Sequence, residues 1–198
     1  LVGDTLVVRL AVSPAAWHIH DERAGAFSVL AFAEEGKPPT IPGPLIRVQE
    51  GTEIRAFVRN ATDTVMYLHG LYTRDAAAQQ QSPIKIAAGG VAEIRFRAEL
   101  PGTYFYWASS SILPLGQRPD IDSQLIGALV IDPRGAAVRD RIMMLSVWAD
   151  ARIAQLADLS RVRVRMTING KSCPHTERYG YNLGDTIRWR IINASPAP

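Results

Sequence analysis

Cysteine is almost missing: Cys173 stands alone in 198 residues, so no internal disulfide can form. No apolar run approaches the roughly 18 residues of a membrane-spanning helix. Leu1 to Val12 reads as a strand, not as a leader peptide, which leaves the compartment unread. A large excess of charge of one sign is missing too. The net charge is +3, and the basic residues are spread along strand-like segments (Arg95 and Arg97, Arg163 and Arg165) rather than gathered into a basic stripe with interleaved aromatics. A nucleic-acid partner is therefore not expected. There is no phosphate loop, no G-x-S-x-G elbow and no H-E-x-x-H, so hydrolase and kinase chemistry has no residues to stand on.

What is present is strand and turn. Hydrophobic residues make up 47% and charged residues 21% of the chain, a globular composition. Thirteen prolines and 15 glycines leave little room for long helices. Period-two alternation runs through Leu6–Val12, Ile54–Val58, Ile94–Ala98 and Ile187–Ile191 and predicts half-buried strands. Leu125–Ile131 and Ile142–Val147 are apolar on both faces and are expected to be central strands. Gly43-Pro44, Gly89-Gly90 and Pro101-Gly102 mark turns. The pattern is that of an all-β sandwich. Asp150 to Leu159 is the one segment with a helix-like pattern.

An internal repeat divides the chain. Gly51–Thr62 (GTEIRAFVRNAT) and Gly184–Ser195 (GDTIRWRIINAS) match at Gly, Ile, Arg, Asn and Ala, at an offset of 133. A second echo sets Thr40-Ile41-Pro42-Gly43 against Thr167-Ile168-Asn169-Gly170. The expected organisation is a complete domain over 1–135, closed at Asp132-Pro133-Arg134-Gly135, and the N-terminal part of a second over 139–198. Half a sandwich leaves open edges, so the native chain is expected to continue beyond Pro198.

Four histidines could carry metal chemistry, because neutral imidazole suits copper and zinc. His18-Ile19-His20 is an H-x-H pair that a strand would present on one face, or else an exposed pair in a loop after Pro14. His69 follows a strand and precedes Gly70. Cys173-Pro174-His175 has a C-x-H spacing, but one cysteine and one histidine do not close a site.

Several blocks in order carry a family resemblance: Ile41-Pro42-Gly43-Pro44-Leu45-Ile46-Arg47-Val48, Gly51, Asn60, His69-Gly70-Leu71, Ile86–Gly90, Pro101-Gly102-Thr103-Tyr104-Phe105-Tyr106 and Leu125–Ile131. Over residues 40–133 the chain resembles the first cupredoxin domain of laccase-like multicopper oxidases. Thr167–Lys171 and Gly184–Trp189 look like a later domain of the same family. The resemblance implies a cupredoxin-like Greek-key β-sandwich, complete once and begun a second time. It also implies copper, a small-molecule or metal-ion reductant, dioxygen as acceptor and a periplasmic or secreted parent. A parent with two such domains would form a homotrimer, and one with three a monomer.

The family holds its trinuclear copper cluster with H-x-H pairs. The first falls on Tyr67-Leu68-His69, keeping only His69 at a position that resembles a type 3 copper ligand. The second falls on Trp107-Ala108-Ser109 and keeps neither. One of four histidines remains. Three outcomes are open: a copper-dependent oxidoreductase whose other ligands lie elsewhere, a non-catalytic cupredoxin-like scaffold, or a copper-handling or electron-transfer protein, with His18 and His20 as metal ligands in the copper-storage form.

Overall fold

The computed structural model describes residues 5–20, 23, 25–74, 82–118, 120–136, 140–149 and 164–195. The helix expected over Asp150–Leu159 lies outside them. Nine strands come first: β1 (Thr5–Trp17), β2 (Phe27–Glu34), β3 (Gly43–Gln49), β4 (Glu53–Asn60), β5 (Met66–His69), β6 (Ile84–Ile86), β7 (Val91–Arg97), β8 (Gly102–Ser109) and β9 (Ile126–Asp132). They make two sheets, in the orders β2-β1-β4-β7 and β3-β9-β8-β5-β6. β1 on β4 and β3 on β9 are parallel, while the neighbouring pairs are antiparallel. Among the described residues no helix is long and apolar enough to cross a membrane.

Alternation decides which face of each strand is buried. β4 turns Ile54, Ala56 and Val58 inward and leaves Arg55, Phe57 and Arg59 outward. The inward residues join Leu10, Val12, Phe32, Met66, Leu68, Phe96, Leu129 and Ile131 in one core between the sheets. Each large aliphatic side chain fully buried there contributes about 1.5–3 kcal/mol. Tyr106 is wholly buried, packs edge-on against Phe32 at 4.9 Å, and donates its Oη to the Pro44 carbonyl at 2.6 Å. Burial pushes its phenol pKa well up, so it stays a hydrogen-bond donor. β9 is buried along its whole length. One face meets this core and the other meets a second cluster described below.

The third sheet holds β10 (Asp140–Ala149), β11 (Val164–Ile168) and β12 (Arg188–Asn193), in the order β11-β10-β12. Its register repeats that of the first unit. β1 runs parallel to β4 with Val12 opposite Asn60, and β10 runs parallel to β12 with Leu145 opposite Asn193. Both residues of the second pair lie 133 positions on from the first. The Ala61 amide donates to Val12 O at 2.9 Å, and the Ala194 amide donates to Leu145 O at 2.9 Å. Asn60 Oδ1 accepts from the Thr62 amide, and Asn193 Oδ1 from the Ser195 amide, both at 3.0 Å. The first repeat is thus one structural unit used twice.

The second echo is not. Ile168 lies opposite Leu145 at the end of β11, where the first unit has Phe32 of β2 opposite Val12. Thr40–Gly43 instead lead out of β2 into β3 of the other sheet. The words match while the backbone roles differ.

The third sheet buries a face whose counterpart is exposed in the first unit. Ala56 and Val58 are buried in the first unit, whereas their counterparts Trp189 and Ile191 are 37% and 63% exposed. Arg59 is exposed on β4, but its counterpart Ile192 is buried, with Met144, Ala194, Ile126, Ala128 and Trp107. The face that is wet in the first unit is the one that adheres to it in the second.

A charge quartet secures this contact. Arg47 of β3 donates to both carboxylate oxygens of Asp132 (2.7 and 3.0 Å) and of Asp140 (2.7 and 3.0 Å). Arg190 of β12 bonds the same two aspartates and Thr103 Oγ1. Two cations alternate with two anions, so every charge faces opposite neighbours. The hydrogen bonds from Arg47, then those from Arg190, lower the Asp140 pKa to about 2 against burial.

Candidate metal centre

Two short strands set the site. Antiparallel pairing of β5 with β8 places Tyr67 opposite Ser109 and His69 opposite Trp107. Residues two apart on a strand share a face. The four positions where the resemblance expects histidines are therefore a two-by-two patch. Leu68 and Ala108, between them in sequence, point the other way into the core.

His69 keeps the ligand chemistry. Its ring lies flat on the Trp107 indole, with centroids 3.8 Å apart and planes 2° from parallel. Its Nε2 is buried without a hydrogen-bond partner. A buried imidazole nitrogen left so costs about 1–3 kcal/mol, and in native proteins such an atom commonly faces a water or an ion. Burial lowers the His69 pKa below its ordinary 6.5. The ring is thus neutral at pH 7, the form a metal requires. The chain turns away at Gly70, where φ is +85° and a Cβ would meet the Phe105 carbonyl oxygen at 2.3 Å. Only glycine fits both demands.

Beside His69 opens a cavity of about 390 Å³, with Trp107, Tyr104, Tyr72 and Arg74 in its wall. The Arg74 guanidinium sits between the rings of Tyr72 and Tyr104, at 4.2 and 4.3 Å, and donates to the Gly70 carbonyl at 2.7 Å. Burial pulls its pKa down from the ordinary value.

Two of the other three positions are committed elsewhere. Trp107 is buried in the cluster between the first unit and the third sheet. Ser109 donates its hydroxyl to Asp122 Oδ2 at 3.0 Å, and Ser110 adds its amide at 2.7 Å and its hydroxyl at 2.8 Å. Arg118, close by, has its pKa lowered to about 10 by burial and donates to the carbonyls of Ser123 and Ala194. Among the described residues no group of three or more His, Cys, Asp or Glu is placed to hold a metal ion. The patch offers copper one nitrogen. A trinuclear cluster does not fit these residues by themselves.

His18 and His20 lie just beyond β1, both half-buried. His18 Nδ1 is buried and unpartnered. His20 is brought not to His69 but to His175, with ring centroids 5.7 Å apart. Cys173 is exposed on the same turn as His175. Sequence reasoning missed this meeting, and also Arg74 and Asp122. No local spacing signals it, because 155 residues separate His20 from His175.

Comparison with known proteins agrees with the fold. The multicopper oxidase family model matches residues 38–136. A probable nitrite reductase-hydroxylamine oxidoreductase fusion protein of Kuenenia stuttgartiensis is 31% identical over 117 residues, 55% of this chain and 13% of that protein. A copper resistance protein A homolog of Pseudomonas syringae pv. tomato is 31% identical over 118 residues, 56% of this chain and 19% of the relative. The chain thus spans less than a fifth of either curated relative. Among solved structures, the blue copper oxidase of Nitrosomonas europaea superposes with a TM-score of 0.75 at 24% identity, over 96% of this chain and 61% of that one. At that identity the likeness establishes the cupredoxin-type fold.

Proposed function

Because the chain belongs to the multicopper oxidase family, we propose that it supplies the first cupredoxin-like domain, residues 1–135, and the opening part of a second, residues 139–198, of a copper-dependent oxidoreductase. In this proposal the parent oxidises a small-molecule or metal-ion reductant with dioxygen as acceptor, in the periplasm or outside the cell. His69 is the one ligand that the β5–β8 patch supplies, and the other ligands of that centre come from residues outside the segment. Copper, when bound, supplies the one-electron chemistry.

One observation carries the proposal: His69 keeps a neutral, buried and unpartnered Nε2 at a position where the resemblance expects a ligand. The protein's own part is to hold that ring. Trp107 fixes its plane, and Gly70 fixes the exit of the strand. With two such domains, the parent would complete its sites in a homotrimer.

The alternative is a non-catalytic scaffold. It is favoured by Trp107 filling the contact between units and by Ser109 being bound to Asp122. Copper content and oxygen uptake of the full-length parent, with phenolic and ferrous donors, separate the two. Bound copper with turnover that is lost in His69→Ala supports the oxidoreductase. Copper below a tenth of an equivalent supports the scaffold.

A further inference from the structure

We propose a second metal site, apart from the β5–β8 patch, in which His20 and His175 share one borderline cation of the copper or zinc type. The two rings come from opposite ends of the chain and meet 5.7 Å centre to centre, at 63° between planes. With metal–nitrogen bonds of about 2.0–2.1 Å, two imidazoles on one ion have ring centres roughly 5–6 Å apart. The observed separation falls in that range.

The His20 ring and the backbone of both loops are held in place. Ser172, 6% exposed, places its Oγ 2.9 Å from His20 Nδ1. That contact orients the ring and leaves Nε2 as the free nitrogen. A metal-bound histidine usually has its second nitrogen anchored in this way. The Ser172 amide donates to Ile19 O at 3.0 Å, and the His175 amide donates to Ser172 O at 2.7 Å. Lys171 Nζ donates to the carbonyls of His18 and His20 at 2.7 and 3.2 Å. Trp17 Nε1 donates to Gly170 O at 2.8 Å. Five hydrogen bonds besides the Ser172–His20 contact therefore fix the two loops before any ion arrives.

Among the described residues no third histidine, cysteine or carboxylate completes the pair. Divalent copper, with the highest affinity of the first-row divalent ions for nitrogen donors, is the cation this donor set favours. The site ties the end of β1 to the loop after β11, so loading it links the first unit to the third sheet. It does not depend on the role proposed for His69.

The test is a Cu(II) titration of the chain in a Cys173→Ser, His69→Ala, His18→Ala background, which removes the exposed thiol and the other candidate ligands. One equivalent is expected to bind, with nitrogen hyperfine structure in the electron paramagnetic resonance spectrum. Zn(II) should shift the imidazole resonances of His20 and His175 together. His20→Ala and His175→Ala should each lower affinity at least tenfold, and Ser172→Ala roughly tenfold, the size of a lost supporting contact. Circular dichroism confirms that each variant is folded. Equal copper binding in the His20→Ala, His175→Ala double variant would overturn the proposal. So would Zn(II) that leaves both imidazole signals in place in a folded protein.

Discussion

Asp140→Asn should weaken the attachment of the third sheet and remove most of its acid sensitivity. The Asp140 side chain is 2% exposed and bonds two arginines, Arg47 and Arg190. Its pKa falls from the ordinary 3.8 to about 2, first through the hydrogen bonds from Arg47. At 1.36 kcal/mol per pH unit, the lowering corresponds to about 2.5 kcal/mol of stability. Removing one partner from a buried ion pair costs a similar or larger amount, about 3–5 kcal/mol, because the remaining charges lose their counter-ion. The sign follows from the direction of the shift. A carboxylate with a depressed folded pKa stabilises the fold fully above about pH 4. The stabilisation fades as pH falls towards 2. Urea unfolding followed by tryptophan fluorescence, at pH 7 and in steps from pH 5 to pH 2, reads both quantities. Wild type should lose about 2 kcal/mol over the acid range from this group, whereas Asp140→Asn should start lower and fall less. Equal stability at pH 7 together with an unchanged acid slope would refute the ion-quartet account.

Gly70→Ala forces a side chain into φ +85° and against the Phe105 carbonyl oxygen. The backbone strain alone costs about 1–3 kcal/mol, and a thermal melt should show a drop of several degrees, with His69 displaced from Trp107. Burial lowers the His69 pKa, so this group stabilises the fold fully above pH 6.5, and the contribution is lost as pH falls towards the lowered value. A nuclear magnetic resonance titration should find the His69 imidazole still neutral at pH 6.5. A midpoint at or above that pH would contradict the burial of the ring.

The sandwich was legible because its physics is local. Leu10 and Val12, or Ile54 and Val58, announce a buried face by alternation alone, and Pro101-Gly102 announces the turn before β8. The duplication at Gly51 and Gly184 was legible for a firmer reason. Asn60 and Asn193 each close the same hydrogen-bonded turn, so the repeated letters encode a repeated constraint. Thr40–Gly43 and Thr167–Gly170 share letters without sharing a constraint, and that echo misled. His69 was found through the family pattern. Its stacking on Trp107 was not, since the contact exists only once the register of β5 on β8 is set. The same holds for Asp122, which reads as part of a polar loop until Ser109 and Ser110 converge on it. His20 and His175 lie at loop ends, where no periodicity operates.

The contact between the third sheet and the first unit has a consequence for the order of assembly. Met144 and Ile192 rest on β8 and β9, so this contact forms only once those strands are in place. During synthesis from the N-terminus, Leu10 through Ile131 can collapse before Met144 and Ile192 emerge. The earlier half then serves as a mould for the later one. Damage to the mould, as in a variant that loosens β9, should loosen the seat of Met144 and Ile192 even where their own residues are untouched.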